Sequence, residues 1–148
     1  MKNSILLAVL FLSLNAFAAD KKPTVSEKAQ NTFYQLFSDA QDVKWSTIGK
    51  YTEASFKSGD IRTRAFLNRR GSLVKTIRYY NEEGLPVDVL YKVKMAYARQ
   101  EIWGVVEVSD CQATSYRITL KDHKNWYQVD VSADGEVLLF KKYKRGDA

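Results

Sequence analysis

The chain has 148 residues, with 23 Lys and Arg against 17 Asp and Glu, a formal charge of +6, one Cys and one His. One Cys cannot close an internal disulfide, and one Cys with one His cannot supply the three or four ligands of a structural zinc site. Only two Pro and seven Gly beside three Trp, nine Tyr and seven Phe argue against a disordered chain, because that much aromatic surface can offset the entropy lost on folding.

The first element is an address. Lys2 precedes an apolar run from Ile5 to Leu14, and Ala16-Phe17-Ala18 places small residues at the first and third positions of an A-x-A cleavage site. A spanning helix needs about 20 apolar residues, so residues 1–18 read as a secretory signal peptide rather than as an uncleaved anchor. No Cys follows the cleavage site to carry a lipid. The mature chain would begin at Ala19, lose the charge of Lys2 and carry +5 on a single domain, residues 19–148. In an oxidising compartment Cys111 is either a buried, inert thiol or an intermolecular pairing site; with no cation beside it in sequence to lower its pKa, the inert reading is preferred.

A helix is expected over Val25 to Phe37, where Val25, Ala29, Phe33, Leu36 and Phe37 recur on one face and Thr24 with Glu27 forms a capping-box pattern. Strands are expected near Val43 to Thr47, Tyr51 to Lys57, Ile61 to Asn68 and Leu73 to Tyr80, separated by short Gly- and Asn-bearing breaks. The pattern then restarts. Leu85-Pro86 opens a second helix, with Pro in the first turn where its missing N–H costs little, and Val89, Leu90, Val93, Ala96 and Tyr97 form its apolar face. Further strands are expected at Ile102 to Ser109, Ser115 to Lys121, Trp126 to Val131 and Val137 to Tyr143.

The halves, about residues 25–80 and 85–143, keep the same order and spacing. Tyr51 to Gly71 is 20 residues and Tyr116 to Gly135 is 19, while Gly71 to Tyr79 and Gly135 to Tyr143 are both eight. This reads as a tandem duplication. Each half is too small to bury much core alone, so the expected fold is α+β: one antiparallel sheet of up to eight strands with both helices on one face.

Ala40, Val43 and Trp45, then Tyr51-Thr52-Glu53-Ala54-Ser55-Phe56, then Gly71, Leu73 and Thr76 resemble the motifs of the PepSY-like domains, also described as β-lactamase-inhibitor-like (BLIP-like). Leu85-Pro86 and the closing Asp134-Gly135-Glu136-Val137-Leu138 fit the same resemblance, which spans about residues 25–143. Thr52 departs from it, since the family often places an aromatic directly before the acidic residue. The resemblance implies a secreted or periplasmic protein of a Gram-negative bacterium, similar in fold to an inhibitor that binds its enzyme with a concave sheet, and it brings no catalytic residues with it.

The residues themselves offer little for catalysis. His123 sits in a polar turn, no G-x-S-x-G elbow is present, and Glu82-Glu83 lies in a linker. No phosphate loop or calcium-loop spacing occurs, so neither a nucleotide cofactor nor a metal is expected. A hydrolase built on two distant carboxylates stays the weaker alternative.

What remains is surface. Along the strands, Val43 and Trp45; Thr52, Ala54 and Phe56; Tyr116, Ile118 and Leu120; and Tyr127, Val129 and Val131 form period-two apolar sets and are the core candidates. The opposite parity mixes aromatics with cations, and Arg62, Arg64, Phe66, Trp103, Arg117 and Trp126 are its candidate partner-binding face, since Trp, Tyr and Arg are enriched at interfaces. An ordinary solvated face fits the same list, and a one-residue register slip would exchange the two lists.

Lys141-Lys142-Tyr143-Lys144-Arg145 adds a cationic end that suits anionic lipid or polysaccharide, with nucleic acid disfavoured for a secreted protein. The expected function is a secreted, non-enzymatic module that binds a protein or peptide of the cell envelope. Expression with the native N-terminus in a Gram-negative host should yield an envelope protein whose intact mass corresponds to a chain starting at Ala19; a mass retaining residues 1–18 would refute cleavage.

Overall fold

The structure is a computed structural model and describes residues 24–146; the expected signal peptide and the Ala19 start lie outside the described residues. Both expected helices and all eight expected strands are present, in the order α1 (Glu27–Leu36), β1 (Gln41–Ile48), β2 (Tyr51–Ser58), β3 (Ile61–Leu67), β4 (Leu73–Tyr80), α2 (Val87–Ala96), β5 (Glu101–Asp110), β6 (Thr114–Lys121), β7 (Asn125–Val131) and β8 (Val137–Lys144). The strands form one antiparallel sheet in chain order, β1 to β8, with every neighbour in sequence also a neighbour in space.

Helix α1 starts later than the sequence suggests. Its N-cap is Ser26, not Thr24: the Ser26 hydroxyl accepts a hydrogen bond from the Ala29 amide at 3.2 Å, satisfying one of the orphan N–H groups of the first turn. Val25 therefore lies outside the helix, and Leu36, expected on the apolar face, is 55% exposed. Helix α2 follows a 3-10 turn at Glu82–Gly84, and Pro86 is its N-cap rather than a residue of its first turn, with the buried Leu85 anchoring the entry. Asn68, expected to end β3, instead builds the next turn: its side-chain oxygen accepts from the amides of Arg70 and Ser72.

Each helix covers its own four strands. Phe33 of α1 is fully buried against Ala54, Phe56 and Ala65, and its ring meets Trp45 and Phe56 edge-on at 5.0 Å. Val89 and Val93 of α2 pack on Ile102, Val105, Ile118, Leu120, Tyr127, Val129 and Val131. The registers place both clusters on one face, because Phe56, Thr63, Arg78, Glu107, Tyr116 and Val131 follow one another in a single row across the sheet. The expected core parity is therefore observed. The turns before β4 and β8 close tightly on the helices: Gly71 and Gly135 both have φ near +80°, and a Cβ at Gly71 would come within 2.8 Å of Lys28 in α1.

Between the two apolar clusters the helix-bearing face is polar. A cleft of about 340 Å³ is lined by Phe37, Phe56, Thr63, Arg78, Glu107 and Ser109. Glu107, 8% exposed, accepts from the Tyr80 hydroxyl at 2.6 Å and from the Arg78 guanidinium at 3.1 Å. A buried carboxylate without donors would be costly, so this triad holds the β4–β5 register at the middle of the sheet.

Two stability predictions follow from this packing. Phe33→Ala should lower the unfolding free energy by about 3–5 kcal/mol in urea denaturation, since four rings or methyl clusters lose their common contact. Burial pushes the Tyr80 phenol well above its ordinary value, and the bond to Glu107 adds to the shift. The unfolded chain then releases that proton first as pH rises, so this contribution is whole below about pH 10 and falls progressively as pH climbs from there toward the raised folded value. Tyr80→Phe should accordingly show a smaller loss of stability than the parent between about pH 8 and about pH 11; equal losses would refute the coupling.

Candidate functional site

With both helices on one side, the other side of the sheet lies open. Its central row runs Lys57, Arg62, Tyr79, Val106, Arg117, Asp130 and Leu138 from β2 to β8. Parallel to it lie Glu53, Phe66 and Lys75 on one side, and Gly104, Thr119, Gln128 and Lys141 on the other. All six candidate residues project from this open face, but the structure divides them among three environments.

Arg64 and Phe66 serve the sheet itself. The Arg64 guanidinium binds Glu53 in bidentate fashion, at 2.7 and 2.9 Å, and Glu53 is 5% exposed. These hydrogen bonds, with a further contribution from Tyr79, hold the Arg64 pKa above its ordinary value. Phe66 was expected as a contact residue, yet it is buried beneath two cations: Arg64 lies 5.3 Å and Lys75 4.7 Å from its ring centre. With no helix on this side, long cationic side chains shield the ring from water, so it offers no direct contact surface.

Arg117 pairs with Asp130 through two hydrogen bonds of 2.7 and 2.9 Å, which raise its pKa, and stands 3.9 Å from the centre of the Phe140 ring. It lines a groove of about 580 Å³ with Tyr79, Val106, Val108 and Leu138.

Arg62 and Trp103 share a larger groove of about 950 Å³, whose walls also include Lys57, Tyr79, Val106 and Thr119. Asp60, Asn81 and Glu83 close its end where β4 leaves the sheet. The Arg62 guanidinium lies 5.1 Å from the centre of the Tyr79 ring. Trp103 occupies an irregularity in β5, between the pairs Ile102↔Leu120 and Gly104↔Thr119, and is 57% exposed. Its ring meets Trp126 edge-on at 5.6 Å, and the Lys121 ammonium sits 3.8 Å from its centre. The bulge re-aims the side chain, so Trp103 and Trp126 form one aromatic wall.

Tyr79 and Gly104 were not singled out from sequence. The adjacent pair Tyr79-Tyr80 gives no parity signal, and only the β3–β4 register turns Tyr79 outward. Cys111 reverses its expectation: it lies exposed in the β5–β6 turn, where Asp110 accepts from the amides of Gln112 and Ala113 and draws the intervening residue to the surface. His123 is exposed in the β6–β7 turn, and among the described residues no group of three His, Cys, Asp or Glu is placed to hold a metal. Among the described residues no helix is long and apolar enough to cross a membrane.

The chain shares its fold with solved bacterial proteins. A BLIP-like protein from Bacteroides fragilis is 20% identical and superposes with a TM-score of 0.61 over 80% of this chain and 85% of that one. A DUF2874 family protein from Bacteroides ovatus is 22% identical, with a TM-score of 0.62 over 82% and 89%. A protein of Bacteroides eggerthii assigned provisionally to the periplasm is 15% identical, with a TM-score of 0.61 over 85% and 93%. No protein-family model and no curated protein sequence matches the chain. The α+β architecture is thus the BLIP-like one; at these identities the likeness carries the fold and not the function.

The two bidentate pairs should differ in energetic weight. Glu53→Gln, at the buried end of its pair, should cost about 1–3 kcal/mol, whereas Asp130→Asn, in a pair exposed at both ends, should cost less than about 1 kcal/mol in urea denaturation. Equal costs would show that the sheet does not shield Glu53.

Proposed function

We propose that this protein is a non-enzymatic binding module of the cell envelope, and that the open face of its sheet engages a protein or peptide partner. The observation that carries this reading is the uncovered face itself. Both helices lie on the other side; the exposed Trp103, packed edge-on against the half-buried Trp126, lines one groove with Arg62, and Arg117 lines a second. Large aromatic and Arg side chains supply contact area and directed donors at limited entropic cost, which is what protein interfaces use. The envelope location draws support from the signal-peptide pattern of residues 1–18 and from the periplasmic assignment of one protein with the same fold. Inhibition of a β-lactamase does not follow from the shared fold.

Site-specific photocrosslinking in living cells tests the face. A benzophenone amino acid at Gln128, on the open face, should capture a discrete protein or peptide identifiable by mass spectrometry, whereas the same group at the exposed Tyr91 of α2 should not. Capture from Tyr91 alone would overturn the assignment.

A further inference from the structure

At the end of the sheet that carries the β1–β2 and β3–β4 turns, Lys50, Tyr51, Asn68, Arg69, Arg70 and Val74 line a pocket of about 720 Å³. Lys50 and the two arginines are exposed, whereas Tyr51 and Asn68 are half-buried. The strand register brings the two turns together, because Thr52 pairs with Leu67 and so sets Tyr51 beside Asn68.

The lining holds three cations and no carboxylate. Lys50 stands 5.4 Å from the centre of the Tyr51 ring, and none of the three cations forms an ion pair with any described residue. Glu53, two residues along β2 from Tyr51, is buried and held at both oxygens by Arg64, and Glu27, in the first turn of α1, does not line the pocket. Hydrogen-bonding capacity is as one-sided as charge. The Asn68 side-chain oxygen already accepts from the amides of Arg70 and Ser72, at 2.9 and 3.1 Å, which leaves its NH2 group to donate. The ammonium and guanidinium groups only donate, and Tyr51 adds a hydroxyl. The same Asn68 bonds, with Gly71 close against Lys28 of α1, pin the turn from which both arginines project.

From this one-sided lining we infer that the pocket binds a terminal phosphate group, with its oxygens on Arg69, Arg70 and Lys50. Such a group carries up to about two negative charges and three acceptor oxygens, whereas a carboxylate brings a single charge. Arginine forks match phosphate oxygens in pairs, and a Lys ammonium places a point charge beside them. The pocket is separate from the grooves of the open face, and its ligand does not depend on a partner binding there.

The test is isothermal titration calorimetry of the mature chain with pyrophosphate, with amide shifts in NMR spectra locating the site. Pyrophosphate should bind saturably and move the amides of Lys50 and of Arg69 to Ser72. The double variant Arg69→Glu, Arg70→Glu should lose about tenfold or more in affinity, while Lys141→Glu with Lys142→Glu, the same change in net charge, should stay within about twofold of the parent. All four side chains are exposed, so circular dichroism should show both folds unchanged. Equal losses in the two variants would show only a general attraction of anions to a basic protein and overturn the site. Absence of pyrophosphate binding, or malonate binding as tightly at matched ionic strength, would overturn it as well. Sedimentation with phosphatidylcholine vesicles containing phosphatidic acid separates the sources of the group. Co-sedimentation that the arginine variant loses assigns a lipid headgroup, and pyrophosphate binding without co-sedimentation assigns a soluble phosphorylated ligand.

Discussion

The pairing of β4 with β5 is the constraint on which the rest of this molecule depends. Each half holds one helix and four strands, and the strands are joined by tight turns except at this point, where residues 81–100 and α2 intervene. Six residue pairs, from Lys75↔Asp110 to Tyr80↔Val105, close the gap and turn two small sheets into one. Without it, each half would expose an edge and bury too little apolar area to be stable alone. Its register is held by Glu107, whose carboxylate must find Tyr80 and Arg78 on the helix-bearing side. A slip of β5 by one residue would bring that carboxylate to the other face and carry Val106 and Val108 under the helices.

The central pairing also decides what each face can do. Because the two apolar clusters stand on the same side, the opposite side is left to cover itself with its own side chains. It does so unevenly. Over β2, β3 and β4, Arg64 and Lys75 close over Phe66, and the surface there is self-satisfied. Toward the β2–β3 turn and the start of β5 the cover thins, and the bulge at Trp103, the absent side chain of Gly104 and Arg62, stacked on Tyr79 without an ion pair, leave a groove. The contrast between a closed patch and an open one, on a single face, is what separates residues that stabilise the sheet from residues left open to solvent.

Much of the architecture was legible in the chain. Alternation along Thr52, Ala54 and Phe56 and along Tyr127, Val129 and Val131 marks the buried face because side chains in a strand repeat every two residues. The spacing of Phe33 with Ala29, and of Val93 with Val89, marks the helices for the same kind of reason. Helix ends were less legible, since Thr24 and Ser26 both qualify as caps and only the Ser26 hydroxyl reaches an amide. All six residues expected to form a binding face lie on the side of the sheet that carries no helix. Phe66 could not be recognised as buried, because its cover comes from Lys75 on the neighbouring strand as well as from Arg64. Tyr79 and Gly104 were illegible for a related reason: one belongs to an aromatic pair without parity, and the other has no side chain to carry a signal.

By itself, then, the sequence determined the kind of element at each place, the repetition of helix and four strands, and which parity of most strands is apolar. These are local properties, carried by residues a few positions apart. Tertiary structure alone decided which cations are spent on carboxylates and which are not, because Arg62, Arg64 and Arg117 are equivalent as letters. Glu53 lies beside Arg64, and Asp130 beside Arg117, only once neighbouring strands are in register. Arg64 and Arg117 thereby hold carboxylates on neighbouring strands, whereas Lys57 and Arg62 face a groove they share with Asp60 and Glu83 and form no ion pair with any described residue.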